Sequence, residues 1–436
     1  MATTRIWDKD NEHILAFKRS VAGNQSCLPL VKYMLSSLIG LATYPKKINM
    51  KNKILCGDSL EVLKDFEDNY FDSVVTDPPY GLAFMGKKWD YDVPQVELWK
   101  EVYRVLKPGG HILSFAGSRT YHRMAVNIED AGFEIRDMLG WLYGSGFPKS
   151  HNIGKAVDKI QGNEREVVGK KITGNARTDE GWKGGQIKID ETKNNSKWEG
   201  WGTALKPAHE PIVMARKPFK TSVAENVLTH GTGGINIDEC RVGTDENLGR
   251  EHKNCLGQYG SLSKHQFLDG KRKNIVTNKN KGKFVDNTKG LGRFPANIIH
   301  DGSEEVLEVF EESSRFFYCA KASKAERNMG LDDYEEKQVT DGTMRSNQET
   351  ARTFGANSAK RKNYHPTVKP IKLMEYLVRL VTPKEGIVLE PFAGSGTTLI
   401  ACKQQGFNYI GIEREQEYCD IAEARLKGVQ IQGTLF

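Results

Sequence analysis

The chain has 436 residues, 38% of them hydrophobic, and a formal net charge of +7 at pH 7. This length allows one large α/β core and a second module, and the modest positive charge favours a polyanionic partner without requiring one. The sequence has no run of about eighteen apolar residues, which argues against a transmembrane helix. Its seven scattered cysteines include no Cys-x-x-Cys pair, which indicates neither a zinc cage nor a disulfide framework and predicts a cytoplasmic protein.

Strands and helices alternate in the sequence from residue 50 to residue 150. Residues 1–49 show no clear period and are expected to form an N-terminal extension of unknown role. The predicted strands are 54–56, 71–76, 112–115 and 133–143, the predicted helices are 60–66, 98–106 and 121–131, and a turn is predicted at 107–110. This alternation is typical of the α/β class with a parallel sheet.

The region 151–364 differs because it is rich in glycine, lysine and asparagine and poor in periodic hydrophobic residues. One core strand is expected within it, near 209–217. Residues 253–293 form the most basic stretch, which predicts either a solvated loop or a surface that binds the phosphates of nucleic acid. The candidate DNA-binding residues in this stretch are Lys271, Arg272, Lys273 and Arg293.

Regular structure returns towards the C-terminus. The predicted helices are 369–381, 397–405 and 416–426, the predicted strands are 387–389 and 409–412, and a glycine-containing loop lies at 392–396. Residues 428–436 are expected to form a tail.

A carboxylate, two prolines and an aromatic ring directly follow the apolar run 71–76. They are Asp77, Pro78, Pro79 and Tyr80. Ligands of open α/β sheets bind at the carboxyl ends of strands, so these groups are expected to face a site. Because proline has no N–H, the turn offers a carboxylate and a bare carbonyl as hydrogen-bond acceptors beside a flat ring. Such a set suits a planar group that carries an amino function, although a plain turn between strand and loop is the alternative.

A second constellation joins strand 387–389, the loop with Gly394 and Gly396, a helix, and a strand that ends at Glu413. Glycines let the backbone approach a ligand, a helix start offers free N–H groups, and a carboxylate at the next strand end can accept both ribose hydroxyls. A dinucleotide fingerprint would have a third glycine where Leu399 stands. The pattern therefore favours an adenosine-bearing cofactor without phosphates, such as S-adenosylmethionine.

Three motifs in this order resemble those of the DNA amino-methyltransferases, and in particular their beta group. The motifs are Asp77-Pro78-Pro79-Tyr80, His365-Pro366-Thr367-Val368-Lys369-Pro370 and Phe392-Ala393-Gly394-Ser395-Gly396-Thr397-Thr398. The resemblance implies a Rossmann-like, seven-stranded methyltransferase sheet in circularly permuted order. Residues 50–150 would then be the catalytic half, 151–364 the target-recognition region, and 365–427 the cofactor-binding half.

The resemblance also implies roles for individual residues. Asp77 and the Pro78 carbonyl would accept hydrogen bonds from the target amino group, with Pro79 stiffening the turn, and Tyr80 would stack on the extruded base. The residues implied to bind S-adenosylmethionine are Asp58, Thr367, Lys369, Glu390, Phe392, Ala393, Gly394, Ser395, Gly396, Thr397 and Glu413. Glu390 departs from the family pattern, in which aspartate often precedes the proline.

The activity implied is site-specific methylation of adenine N6 in double-stranded DNA, with the target base flipped out of the helix. Aspartate at position 77 favours adenine, whereas serine is more frequent in cytosine-N4 enzymes, which are the alternative. RNA and protein amino-methyltransferases fit less well, because they more commonly carry asparagine first and place the cofactor loop before the turn. No metal is expected, since His209-Glu210 lacks the second histidine of a zinc helix. A homodimer and a restriction endonuclease partner are both left open.

Overall fold

A nine-stranded sheet forms the core of the protein in the computed structural model. The structure describes residues 50–82, 90–144, 146, 150–175, 186–193, 196–243, 292–309, 316–339 and 359–429. The predicted N-terminal extension 1–49 lies outside these residues, as does the predicted tail from residue 430 onwards.

The described strands number thirteen. They are β1 Lys53–Cys56, β2 Phe71–Thr76, β3 Leu106–Phe115, β4 Glu134–Leu142, β5 Glu166–Asn175, β6 Gln186–Lys193, β7 His209–Arg216, β8 Ile298–His300, β9 Phe317–Tyr318, β10 Lys337–Val339, β11 Ala359–Arg361, β12 Ile387–Glu390 and β13 Asn408–Glu413. The order in the large sheet is β1-β13-β12-β2-β3-β7-β4-β8-β9, while β5-β6 and β10-β11 form separate antiparallel pairs. In the large sheet β7 runs antiparallel to both of its neighbours, and the other pairs are parallel.

Helices of the described segments cover both faces of the sheet. They are α1 Ser59–Leu63, α2 Val96–Val105, α3 Tyr121–Asp130, α4 Ile153–Gln161, α5 Val223–His230, α6 Glu304–Val309, α7 Lys324–Asn328, α8 Ile371–Val381, α9 Thr397–Gln404 and α10 Gln416–Lys427, with a 3-10 turn at Asp238–Cys240. None of the helices in these segments is both long enough and apolar enough to cross a membrane.

The predicted methyltransferase sheet is confirmed in its first seven positions, from β1 to β4 in the order above. The C-terminal strands β12 and β13 lie between β1 and β2, so strands from both ends of the chain complete one sheet. Two short strands, β8 and β9, extend the sheet beyond the seven predicted strands. They had no separate prediction, because two or three apolar residues are too short a signal to distinguish a strand from a loop.

The central position of β2 follows from its composition. All six of its residues are buried, and successive side chains point to opposite faces because a strand has a period of two. Val75 belongs to the hydrophobic cluster that includes Leu377 of α8 on one face, while Val74 belongs to the cluster that includes Trp99 of α2 on the other. A strand buried on both faces is typical of a parallel sheet between two helical layers.

Residues 107–110 do not form the predicted turn between a helix and a strand, and that prediction is wrong. They continue β3 as a bulge, because β2 and β3 pair first at Phe71–Leu106 and next at Ser73–His111. The bulge is tied to its neighbours through the buried Asp72, which accepts from Lys107 Nζ at 2.6 Å and from the Ile387 backbone N at 2.7 Å. One carboxylate therefore joins β2, β3 and β12.

Asp72→Ala is expected to lower the free energy of unfolding by about 2 to 3 kcal/mol, because a buried backbone N–H loses its acceptor and an ion pair is broken. Urea denaturation would measure this loss. Glu61→Ala is the control, since Glu61 pairs with Lys64 on the exposed surface of α1 and should cost about 0.5 kcal/mol or less. Equal stability of the two variants would contradict the role given to Asp72.

Candidate active site

A cavity of about 680 Å³ opens at the carboxyl ends of the parallel strands. Strands β1, β2, β12 and β13 all end at this edge, and each is followed by a residue that lines the cavity. These residues are Asp58, Asp77, Pro391 and Arg414. The cavity falls in the size range of sites for small molecules and cofactors.

Asp77 lies in a compact polar cluster at the end of β2. Lys369, in the loop before α8, places its Nζ 2.8 Å from both carboxylate oxygens of Asp77, and the Tyr80 hydroxyl donates to Asp77 Oδ1 at 2.7 Å. Burial alone would lower the pKa of Lys369, but Asp77 and Glu210 outweigh it and raise the pKa. Burial, followed by the two carboxylates, raises the pKa of Tyr80 well above its ordinary value. Lys369 is therefore charged, and Tyr80 keeps its proton.

Glu210 is a second carboxylate of this cluster that the sequence did not assign to the site. Its Oε2 lies 3.1 Å from Lys369 Nζ and 3.3 Å from the Tyr80 hydroxyl. Burial would raise the pKa of Glu210, but Lys369 together with hydrogen bonds from Tyr143 and Tyr80 lowers it. The available sequence signal was its place at the start of the predicted strand near 209–217, within a run that resembled other family members.

The glycine loop is shaped by close contacts on both sides. Gly394 has φ +51°, and a Cβ there would lie 2.8 Å from His365 Nε2. Gly396 has φ +79°, and a Cβ there would lie 2.9 Å from Ala422 Cβ. Both positions need glycine because the left-handed conformation and the lack of space each disfavour a side chain. Gly396 also precedes the first residue of α9.

Glu413 ends β13 with its carboxylate oriented by the backbone. The Gly394 backbone N donates to Oε2 at 2.8 Å and the Glu415 backbone N donates to Oε1 at 2.9 Å. Burial raises the pKa of Glu413. Glu413 lines the cavity together with Phe392, and its assignment to the ribose stays a prediction.

All predicted catalytic and cofactor residues except Gly396 line this cavity or a smaller one of about 30 Å³ beside it. The large cavity is lined by Asp58, Asp77, Pro78, Pro79, Tyr80, Thr367, Phe392, Gly394 and Glu413. The small cavity adds Lys369, Glu390, Ala393, Ser395 and Thr397. Gly396 lies in the same loop without lining either cavity. The Lys369 ammonium is bound to Asp77 and Glu210, so its assignment to the cofactor stays a prediction.

Glu390 is buried rather than presented to the large cavity. Its carboxylate accepts from Thr76 Oγ1, from Thr398 Oγ1 at 2.6 Å and from the Phe392 backbone N at 3.0 Å. Burial raises its pKa to about 8, despite these hydrogen bonds. The carboxyl therefore joins β2, β12 and α9.

His365 is a further lining residue to which the sequence gave no role. Its Nδ1 lies 2.7 Å from the Thr367 carbonyl oxygen, and its ring contacts the Tyr418 ring edge to face at 4.6 Å. Burial lowers its pKa to about 4, so the imidazole is neutral. The neutral ring donates from Nδ1 and leaves Nε2 as an acceptor beside Gly394. Its position in the 365–370 motif was the signal available.

Of the predicted DNA-binding residues, the structure describes Arg293, which is not part of this site. Arg293 is partly buried and pairs through its backbone with Val242, and it does not line the large cavity. Lys271, Arg272 and Lys273 lie outside the described residues.

Comparisons with known proteins match most of the chain. The sequence model of a DNA methylase family that groups N6 and N4 enzymes matches residues 71–424. The type II methyltransferase M.HindIII of Haemophilus influenzae is 26% identical over 335 residues, which are 76% of this chain and 68% of that protein. The type II methyltransferase M.HinfI of the same species is 45% identical over 69 residues, which are 16% of this chain and 19% of M.HinfI. The crystal structure of an M1.HpyAVI–SAM complex aligns over 86% of this chain and 98% of that chain, with 17% identity and a TM-score of 0.35.

Glu390 predicts how stability depends on pH. Its pKa in the folded protein, about 8, exceeds the ordinary value of 4.5, so the folded state binds the proton more tightly than the unfolded state. Stability therefore falls as pH rises from about 4.5 to 8. Glu390→Gln copies the protonated form, and its melting temperature should fall less than that of the wild type between pH 5.5 and pH 8.5.

Glu134→Gln is the matched control for this measurement, because Glu134 is exposed and its pKa is lowered by hydrogen bonds from Arg216. Its charge does not change in this pH interval, so the variant should follow the wild-type pH dependence. A Glu390→Gln curve parallel to that of the wild type would show that the residue does not carry the proton assigned to it.

Proposed function

The chain belongs to the N6/N4 DNA methylase family, and we propose that it methylates the N6 amino group of adenine in double-stranded DNA. S-adenosylmethionine is the methyl donor of this family. The observation that carries the proposal is the shared cavity, in which Asp77 and Pro78 face the same space as Phe392, Gly394 and Glu413. Acceptors for an amino group and a cradle for an adenosine cofactor thus meet at one sheet edge.

The residues that line the two cavities fit S-adenosylmethionine. Glu413 presents a carboxylate to accept the ribose hydroxyls, Gly394 and Gly396 allow close approach of the backbone, and Phe392 offers a flat apolar surface. His365 Nε2 and Thr367 lie on the same side as Gly394 and would face the methionine part. When bound, the cofactor supplies an electrophilic methyl group on a positively charged sulfur.

The residues around Asp77 would orient the target amine. An amino group conjugated to a purine is a poor nucleophile, because its lone pair is delocalised into the ring. The Asp77 carboxylate and the Pro78 carbonyl would each accept a hydrogen bond from one N–H of this amino group. These two hydrogen bonds favour a pyramidal nitrogen whose lone pair is directed at the methyl group. Transfer is then direct and forms no covalent bond to the enzyme. Stacking on Tyr80 offsets part of the cost of flipping the base, on the order of 1 to 3 kcal/mol.

Two features support adenine N6 as the target and the beta group as the subgroup of this chain. Aspartate at the first position of the tetrapeptide favours adenine over cytosine in enzymes of this kind. The catalytic residues 77–80 precede the cofactor loop 392–396, and β12 and β13 lie between β1 and β2, which supports the permuted order of the beta group. The region 151–364, with its basic stretch, is the proposed target-recognition region, where Lys271, Arg272, Lys273 and Arg293 would contact phosphates.

Expression in a host that lacks DNA methylation tests the proposed function. Mass spectrometry of digested host DNA should detect N6-methyladenine, and long-read sequencing should place it at one short recognition sequence. N4-methylcytosine instead would refute the adenine assignment. DNA free of both bases, with the purified protein binding S-adenosylmethionine, would refute the methylation of DNA by this chain.

Asp77→Ala should reduce the turnover of DNA by at least about 100-fold, because the transition state loses its charged acceptor. The affinity for S-adenosylmethionine, measured by calorimetry, should change little, since the cofactor contacts come from the 392–396 loop and Glu413. Asp68→Ala is the control, because Asp68 pairs with Arg104 at the surface and its loss should leave turnover unchanged. Normal methylation by Asp77→Ala would exclude the role assigned to this carboxylate.

A further inference from the structure

Asp77 is not the sole carboxylate beside the proposed amine site, because Glu210 shares its cation. We infer that Glu210 is a positioning residue for methyl transfer. Because Glu210 shares the Lys369 ammonium with Asp77, the Asp77 carboxylate keeps negative charge where it faces the amine. This inference rests on the proposed function and adds a residue to it. The side chains of Lys369, Asp77 and Glu210 are 9%, 17% and 22% exposed, so their charges interact with little screening by solvent.

The hydrogen bonds of Asp77 leave it one free acceptor position. A carboxylate oxygen accepts about two hydrogen bonds. Oδ1 already accepts from Tyr80 and from Lys369, whereas Oδ2 accepts from Lys369 among the contacts of the described residues. The target amino group therefore fits at Oδ2 while Lys369 stays in place. Its strength of binding there depends on how far Lys369 neutralises Asp77.

Glu210 sets that balance. An isolated pair of Asp77 and Lys369 is electrically neutral and attracts an amino N–H weakly. Glu210 Oε2, 3.1 Å from the same ammonium, adds a second negative charge, so that two carboxylates and one ammonium leave a net charge of −1. The geometry thus places an uncompensated negative charge within hydrogen-bonding distance of the proposed amine position.

This charge matters because the amine gains positive charge during the reaction. The nitrogen lone pair forms the N–C bond while the C–S bond breaks and its electron pair stays on sulfur, so the positive charge moves from sulfur to nitrogen. The nitrogen then loses its proton to Asp77 Oδ2. A negative site stabilises the charge that develops on nitrogen, and it also makes Asp77 a better acceptor for the proton.

The surroundings of Glu210 hold it in this position. Tyr143 donates a hydrogen bond to it, and the Tyr80 hydroxyl, whose proton points to Asp77, lies 3.3 Å from its Oε2. Lys321 lies farther out, 3.7 Å from the centroid of the Tyr143 ring, where it faces Asp301 as well as Glu210. Among the described residues no ion pair joins Lys321 to Glu210, whose ion-pair partner there is Lys369.

Glu210→Gln tests the inference, because glutamine keeps the shape and an acceptor oxygen while the charge is lost. The turnover number should fall on the order of 10- to 100-fold. The dissociation constant of S-adenosylmethionine and the KM for DNA should stay within about threefold, since a neutral amine gains far less from the lost charge than the positively charged nitrogen of the transition state does. Glu134→Gln is the matched control. It removes a carboxylate that pairs with Arg216 at the far end of β7 and should leave turnover unchanged.

A second substitution separates the charge effect from a structural one. Lys369→Met in the Glu210→Gln background leaves Asp77 as the one charge of the trio and restores the net charge to −1. The double variant should therefore turn over at least about fivefold faster than Glu210→Gln. A merely structural role of Glu210 predicts the opposite, because the double variant loses two native contacts.

Four outcomes are decisive. A double variant no faster than Glu210→Gln overturns the inference, as does wild-type turnover by Glu210→Gln. If the Glu210→Gln variant does not fold, Glu210→Asp and Glu210→Asn, which match in size, are compared instead. The aspartate variant must then turn over at least about tenfold faster than the asparagine variant. A wild-type protein that binds S-adenosylmethionine and methylates no DNA would instead refute the proposed function itself.

Discussion

The insertion of β12 and β13 between β1 and β2 is the constraint on which the site depends. Hydrogen bonding of β12 to β2 pairs Val388 with Ser73 and Leu389 with Val74, so the carboxyl ends of the two strands lie within one residue of each other. The residues after these ends are the proposed catalytic tetrapeptide 77–80 and the proposed cofactor loop 392–396, more than three hundred positions apart in the chain. Their proximity is a consequence of strand register, because a parallel pair brings its carboxyl ends to one edge. At the opposite, amino-terminal ends of β2 and β12, the Asp72 carboxylate links the two strands by accepting hydrogen bonds from Lys107 and from the backbone N of Ile387.

The site stabilises its buried carboxyl groups in two different ways. Asp77 and Glu210 share the Lys369 ammonium, so one buried cation is the ion-pair partner of both carboxylates. Glu390 has no cation within ion-pair distance among the described residues; burial raises its pKa to about 8 and it holds hydroxyl and amide donors instead. Charge is thus retained where an amine is to be bound and suppressed inside the strand-to-helix junction. Burial alone does not decide whether a carboxyl group of this protein is ionised, because its pKa also depends on whether its nearest partner is a cation or a neutral hydrogen-bond donor.

Local patterns predicted the parts of the site that local chemistry fixes. The run 71–76 became β2 with identical bounds, and the glycines at 394 and 396 form the expected loop before a helix. Glu210 could not be assigned in this way, because its approach to Lys369 depends on β7 lying between β3 and β4 in the folded sheet. The bulge at 107–110 escaped prediction for the same reason. Its proline and glycines are typical of a turn, and pairing with β2 and contacts from Asn226 hold them within a strand.

The departure at Glu390 has a structural explanation in the length of its side chain. Its carboxyl group lies between Thr76, which directly precedes Asp77, and Thr398, in the first turn of the helix after the glycine loop. An aspartate is one methylene shorter, and from the same backbone position it would not span both hydroxyls in this way. The longer residue thus links the strand that carries the amine acceptors to the helix that begins at the cofactor loop. In this chain, Glu390 thus links β2 to α9, whereas His365 and Glu413 line the open cavity, where they are the proposed acceptors for the cofactor.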